Sequence, residues 1–195
     1  MMSKILFFAG SAREQSFTKK LAKAAHKLAL EKDADATFID LRDYPMPLYD
    51  GDLEDNEGLP KNAAVLKKMF AEHDGFFIVT PEYNSSLPPL LKNTIDWISR
   101  PNPANPDMAD PYKGKTAAIA AASPGGLGGM RVLVPFRMLL GNIGVHVMPT
   151  QVSVNFVSQA FNEDGNLANE AQIGLLNAAL DELISTTKAL KASQN

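Results

Sequence analysis

The sequence predicts an α/β fold, a three-layer sandwich in which a five-stranded parallel sheet is covered by helices on both faces. Three observations carry that prediction. Short, continuously apolar runs alternate five times with longer segments whose apolar residues recur every three or four positions. The strand candidates are apolar on both faces, and such strands need cover on both faces, as in a parallel sheet built from β-α units. The chain has 195 residues, 45% of them hydrophobic, enough for one sizeable core, so residues 1–195 are expected to form a single domain.

Residues 5–9, Ile-Leu-Phe-Phe-Ala, read as the first buried strand. Phe17, Leu21, Ala24 and Leu28 follow at helical spacing on one face. Residues 36–40 are the second strand candidate. Leu59-Pro60 opens a second helix, with proline in its first turn and Val65, Met69 and Phe70 in its apolar set. Residues 76–80 are the clearest strand, with Phe-Phe-Ile-Val in a row. Residues 90–99 are helical, with Leu91, Ile95 and Ile98 on one stripe. Residues 116–122 form a fourth strand of small side chains. Residues 130–140 form a fourth helix, in which Pro135 predicts a kink or a late start. Residues 144–148 are the fifth strand, resuming at 152–156. Ile173, Leu176, Leu180, Leu183, Ile184 and Leu190 mark a long final helix. Right-handed crossovers leave few topologies for this series, and a flavodoxin-like sandwich with strand order 2-1-3-4-5 is the natural one.

Composition excludes several classes. The 19 Lys and Arg nearly balance the 22 Asp and Glu, for a net charge of −3. That is too little charge for a disordered chain of this apolar content, and it lacks the basic excess of a nucleic-acid binder. There is no cysteine, so thiolate metal sites, iron–sulfur clusters and cysteine nucleophiles are excluded, in keeping with a reducing, cytoplasmic compartment. The first apolar run is too short for a signal peptide, and no stretch is long enough to span a bilayer, so no membrane association is expected.

In a parallel sheet of this kind, ligands bind outside the carboxyl ends of the strands, where strand order reverses. The loops after strands one, three and four are therefore the candidates. Loop one is Gly10-Ser11-Ala12-Arg13-Glu14-Gln15-Ser16-Phe17-Thr18 and runs into a helix. A helix N-terminus offers free N–H groups and a positive dipole end. Ser11, Ser16 and Thr18 add hydroxyls and Arg13 a guanidinium fork, a set suited to a phosphomonoester. Loop three, Pro81-Glu82-Tyr83-Asn84-Ser85-Ser86, is a rigid turn whose main chain suits the edge of a flat heterocycle. Loop four, Ser123-Pro124-Gly125-Gly126-Leu127-Gly128-Gly129, permits close backbone approach to a ligand.

Competing motifs fail on inspection. The run from Gly126 has Arg131 where a dinucleotide fingerprint needs its third glycine. Gly114-Lys115-Thr116 ends like a phosphate-binding P-loop, but Ala109 replaces the first glycine and a strand follows rather than precedes it. The acidic run from Asp50 to Asp55 has Asp55 where a calcium loop needs glycine, and it reads as a solvated loop. His26, His73 and His146 lie apart and read as ordinary histidines; no metal site is expected. Two irregular segments stand out. Residues 44–58 hold two prolines and five acidic residues, and residues 100–115 hold Pro101, Pro103, Pro106 and Pro111. Loops of this length are either functional or surface excursions.

Taken in order, Gly10-Ser11-x-Arg13-x-x-Ser16, Pro81-Glu82-Tyr83-Asn84 and Ser123-x-Gly125-Gly126-x-Gly128-Gly129 resemble the three FMN-contacting loops of the NAD(P)H-dependent FMN reductase family. The resemblance extends over Leu91-Lys92-Asn93-Thr94-Ile95-Asp96-Trp97. Pro47-Leu48-Tyr49-Asp50 is similar to the quinone- and chromate-reducing branch. It covers nearly the whole chain. It implies that Ser11, Arg13, Gln15, Ser16 and Phe17 hold the FMN phosphate, that Pro81, Glu82, Tyr83 and Asn84 line one edge of the ring with main-chain groups, and that Ser123, Gly125 and Gly126 close the other side. It further implies a ping-pong cycle in which NADPH or NADH gives a hydride to the flavin and a quinone, free flavin or similar small molecule takes the electrons. No protein side chain is then required as acid, base or nucleophile. Members commonly form homodimers or homotetramers.

Two departures bear on that reading. Leu87-Pro88-Pro89-Leu90 replaces a commoner glycine-bearing stretch, and residues 100–115 exceed the family's usual length, so that they cover the site, extend a dimer interface or do neither. The alternative function is a flavodoxin-like electron carrier without NAD(P)H oxidation of its own; such carriers are strongly acidic, unlike a chain of net charge −3. A third is a scaffold that has kept the fold and lost the flavin.

Overall fold

The computed structural model describes residues 2–193. Strands β1 (Ser3–Ala9), β2 (Ala34–Phe38), β3 (Gly75–Thr80), β4 (Thr116–Ala122), β5 (His146–Val147) and β6 (Val152–Val154) form one parallel sheet. Its order is β2-β1-β3-β4-β5, with β6 also paired to β4. The fifth position of the expected topology is thus one interrupted strand. β5 pairs with the start of β4 and β6 with its end. Pro149 lies between them and has no N–H to give a ladder.

The continuous apolar runs are explained by two separate cores. Ile5, Phe7 and Ala9 face α1 (Phe17–Leu30) and α6 (Glu170–Ser193), together with Leu21, Leu176, Leu180 and Leu183. Leu6 and Phe8 face the opposite layer, α3 (Lys61–Glu72), α4 (Pro89–Ser99) and α5 (Met130–Asn142), with Leu66, Phe70, Leu91, Ile95 and Phe136. In β4 every residue is buried. Its alanines leave room for large side chains such as Phe136 and Leu180 to fill the two layers.

The elements differ from the sequence expectations in a few places. Residues 44–58 are not all loop: α2 (Gly51–Glu57) forms within the acidic run, capped by Asp50. It buries no residue, which is why no apolar period announces it. Glu54 of α2 pairs with Arg100 at 2.8 Å and accepts the Tyr49 hydroxyl at 2.9 Å. The Arg100 guanidinium holds the Glu54 carboxyl below its ordinary range. In α3 the buried face is Ala63, Leu66, Lys67 and Phe70, and Val65 points outward. Pro135 does not delay α5, which begins at Met130. Among the described residues, no helix is long and apolar enough to cross a membrane.

The Pro-rich residues 100–115 leave the C-terminus of α4 and lead into the start of β4. They therefore stand at the amino edge of the sheet, opposite the loops that follow the strands, and do not cover this chain's own loops one, three and four. Lys67 fastens the segment by donating to the carbonyls of Ile98 (2.9 Å) and Arg100. Burial lowers the pKa of that ammonium group. Lys115 likewise donates to Ala71 and His73 carbonyls.

Candidate functional site

The helices that follow β1, β3 and β4 directly all start at the carboxyl edge of the sheet. The N-terminus of α1 and parts of the three loops line one open cleft of about 150 Å³. Of the twelve residues expected at the site, eight line it: Ser11, Arg13, Ser16, Phe17, Pro81, Glu82, Tyr83 and Ser123. Thr18, Ala122 and Pro124 complete the lining. Gln15, Asn84, Gly125 and Gly126 lie outside it. Gln15 is exposed, Asn84 sits at the tip of a turn, and the two glycines continue the rim beyond Ser123.

Loop one is shaped by its own hydroxyls. Ser11 is buried and its Oγ accepts from the Arg13 amide at 3.3 Å, which turns the chain toward α1. Ser16 is the N-cap of α1. Its hydroxyl shares a 2.8 Å bond with that of Thr18 and weakly caps the Lys19 amide at 3.4 Å. The first intrahelical backbone bond comes from Lys20 to the Ser16 carbonyl. The amides of Phe17 and Thr18 precede it and have no protein acceptor among the described residues. Lys19 is nearly buried and paired with Asp40 at 2.7 Å, so its charge is met within the protein. Gly10 is required by packing: a Cβ there would lie 2.9 Å from the Cβ of Leu91 on α4.

Loop three is a tight two-residue turn. Tyr83 and Ser86 exchange backbone bonds of 3.0 Å, and Asn84 and Ser85 both have positive φ, 51° and 64°. This is the geometry of a type I′ turn, which asparagine enters readily and serine does not. The turn leaves Tyr83 half exposed at the mouth of the cleft.

Glu82 is not the exposed side chain of a simple turn. Its side chain is only 7% exposed and pairs with the Arg131 guanidinium, with Nε at 2.7 Å. It also accepts from the amides of Arg131 (3.1 Å) and Val132 (3.3 Å), the first turn of α5. No local signal in the sequence marks this contact, which joins residues 49 and 50 apart. Loop four is held from the other side by β6 and the residues after it. Ser123 donates to Val154 and Val157 to Ser123, while the Asn155 amide side chain donates to Gly126. A Cβ on Gly128 would strike Ser153 Oγ at 2.5 Å.

Residues 3–159 match the family model of the NADPH-dependent FMN reductases, and the chain belongs to that family. It is 38% identical over 142 residues to a quinone reductase of Escherichia coli K12, covering 71% of this chain and 70% of that one. It is 32% identical over 183 residues to a 2-hydroxy-1,4-benzoquinone reductase of a Burkholderia species, covering 93% and 94%. Among solved structures it is similar to FerB, a flavoenzyme NAD(P)H:acceptor oxidoreductase of Paracoccus denitrificans. The TM-score is 0.74 and the identity 28%, over 93% of this chain and 97% of that one.

Proposed function

We propose that this chain binds FMN in the cleft and uses it to pass electrons from NAD(P)H to quinones. The observation that carries the reading is the open N-terminus of α1: two first-turn amides without protein acceptors, beside Ser11, Ser16, Thr18 and Arg13. That donor set fits a phosphate monoester, which brings two negative charges and only acceptors. The quinone acceptor rests on the names of the relatives.

When bound, FMN would supply hydride acceptance from NAD(P)H and electron delivery to the acceptor. The chain's part is to hold and expose it. Ser11, Arg13, Ser16 and the amides of Phe17 and Thr18 would grip the phosphate, with Gln15 at the rim. A cleft of about 150 Å³ is well below the roughly 300–1,000 Å³ of a site that encloses a whole ligand. It suits a phosphate and its short chain, with the ring left between loops three and four. The main chain of Pro81 to Asn84 would meet one ring edge, and Ser123, Gly125 and Gly126 the other. An open ring side admits donor and acceptor in turn.

We further propose that two copies associate through α5. Met130, Val134 and Met138 recur every fourth residue and are 53, 74 and 64% exposed. Leu127 and Phe156, also more than half exposed, extend the stripe to the rim of the cleft. A contiguous stripe of exposed large apolar side chains, rimmed by polar residues, is the kind of surface that marks an interaction site. A second copy fits it because Arg131, the cation within the stripe, is already neutralised by Glu82. Light scattering should give the mass of a dimer or larger, and Val134→Asp should shift it toward monomer.

The functional reading is tested by absorption. The purified protein, reconstituted with FMN, should show oxidised flavin bands that bleach on adding NADPH and return on adding a benzoquinone. A preparation that takes up no FMN would sink the reading. Bands that NAD(P)H does not bleach would favour the electron carrier.

A further inference from the structure

We propose that Glu82 is a positioning residue: its carboxylate closes the N-terminus of α5 and ties loop three to loop four, so that the ring side of the cleft is held together without offering a second anion site. The inference rests on the FMN reading above and goes beyond it by giving the Glu82 side chain a task distinct from that of its main chain.

The geometry is that of a cap supplied from elsewhere in the chain. The residue before α5 is Gly129, which has no side chain to cap with, and the first turn of α5 contains no acidic residue. Four N–H groups at such an end are left without intrahelical acceptors. Glu82 accepts from two of them, at 3.1 and 3.3 Å, and its charge opposes the positive end of the dipole. The same carboxylate holds the Arg131 guanidinium. Without Glu82, two amides, a dipole end and a guanidinium would stand together beside loop four, a set that attracts phosphate as α1 does.

Gly129 is what lets the helix end come so near. Its φ is 81°, and a Cβ there would lie 3.0 Å from Ala121 Cβ and 3.7 Å from Glu82 Cβ. The other helix end at this edge is weak for a different reason. α4 follows Pro88 and starts at Pro89, which removes two N–H donors. α1 is therefore the helix end left open to a phosphate.

The test compares two ligands that share a ring and differ in the phosphate. Apo protein is titrated with FMN and with riboflavin, followed by quenching of flavin fluorescence. Glu82→Ala should weaken both by the same factor, about tenfold, the cost of losing a helix cap and the contact it made. Glu82→Gln keeps an oxygen for the two amides and should lose no more than about threefold for either ligand. It also keeps the comparison available if the alanine variant folds poorly. Inorganic phosphate should protect FMN-free Glu82→Ala at a second site, seen as two-site binding by calorimetry, where the native chain shows one. A general loss of structure would also weaken both ligands, but with a large drop in melting temperature in both variants, whereas loss of the cap should lower it modestly in Glu82→Ala and little in Glu82→Gln.

Loss of FMN affinity alone, with riboflavin unchanged, would overturn the proposal, because the effect would then belong to the phosphate. So would unchanged binding of both ligands, or a glutamine variant as weak as alanine. A native chain that binds neither flavin overturns the FMN reading itself and this proposal with it. A native chain that binds both, with variants unaffected, overturns this proposal alone.

Discussion

The N-termini of α1 and α5 stand at the same edge of the sheet and are built in opposite ways. At α1 the cap is a hydroxyl shared with Thr18, two amides are left over, and the guanidinium of Arg13, which lines the cleft, pairs with no carboxylate among the described residues. At α5 the local cap is glycine, and a carboxylate from another loop takes two amides and the guanidinium together. One end keeps its donors for a ligand and the other has used them on the protein. Both follow a strand directly, so topology alone does not distinguish them. What separates them is a single acidic side chain brought across from loop three. A helix end in this fold is therefore an anion site only by default, and closing it takes one well-placed carboxylate.

The largest effect should come from breaking the open end. Arg13→Ala would remove the charge-assisted bond proposed to the phosphate, worth about 1.5–3 kcal/mol. FMN affinity should fall by on the order of ten- to a hundredfold, while riboflavin affinity holds. That is the reverse of the pattern expected at Glu82, so the pair of variants separates the two ends in one assay. Unchanged FMN affinity would place the phosphate elsewhere.

Next in size is Gly129→Ala. Its φ of 81° costs a non-glycine residue roughly 1–2 kcal/mol, and the new Cβ must press on Ala121. Chemical denaturation should show that loss, and ring affinity should fall with it as α5 draws away from Glu82. Ser16→Ala at the other end should cost about 1 kcal/mol of stability through the lost cap. It should also weaken FMN more than riboflavin. If both variants gave the same ligand pattern, the two ends would not be doing different jobs.

Much of this was legible in the sequence, and the part that was not has a physical reason. Strands β1, β3 and β4 are read directly because both faces of each are buried, so every position but Lys4 is apolar or small. The break between β5 and β6 falls where the fifth strand was expected to pause, at Pro149, which has no N–H for the ladder. α2 is hidden because a seven-residue helix that buries nothing leaves no period. Val65 was expected in the apolar set of α3, but at helical spacing it falls beside Leu66 and away from Phe70, and it points outward. The end of the cleft proposed for the phosphate was the easier to single out because its residues are contiguous: Ser11 to Thr18 lie in one loop. The ring side was less so. Glu82 and Arg131 meet only in the folded chain, and nothing near either residue names the other.

The smallest prediction concerns strain. Loop one contains no residue with positive φ, whereas the ring side holds Asn84, Ser85, Gly128 and Gly129 in that region. Two of these are not glycine, and Ser85 at 64° is the less suited to it. In a type I′ turn the second central position favours glycine. Ser85→Gly should therefore relieve strain, offset in part by a more flexible unfolded chain, for a net gain of up to about 1 kcal/mol. The gain should appear as a higher melting temperature with phosphate-dependent binding unchanged. Turn geometry and Tyr83 would be preserved, so riboflavin affinity should change less than with Glu82→Ala. A stabilised protein that loses riboflavin would mean instead that the strained turn itself presents the main chain to the ring, as strain stored at a working site does. The difference between the two helix ends would then extend to their loops: one end relaxed and gripping a charge, the other held in tension against a plane.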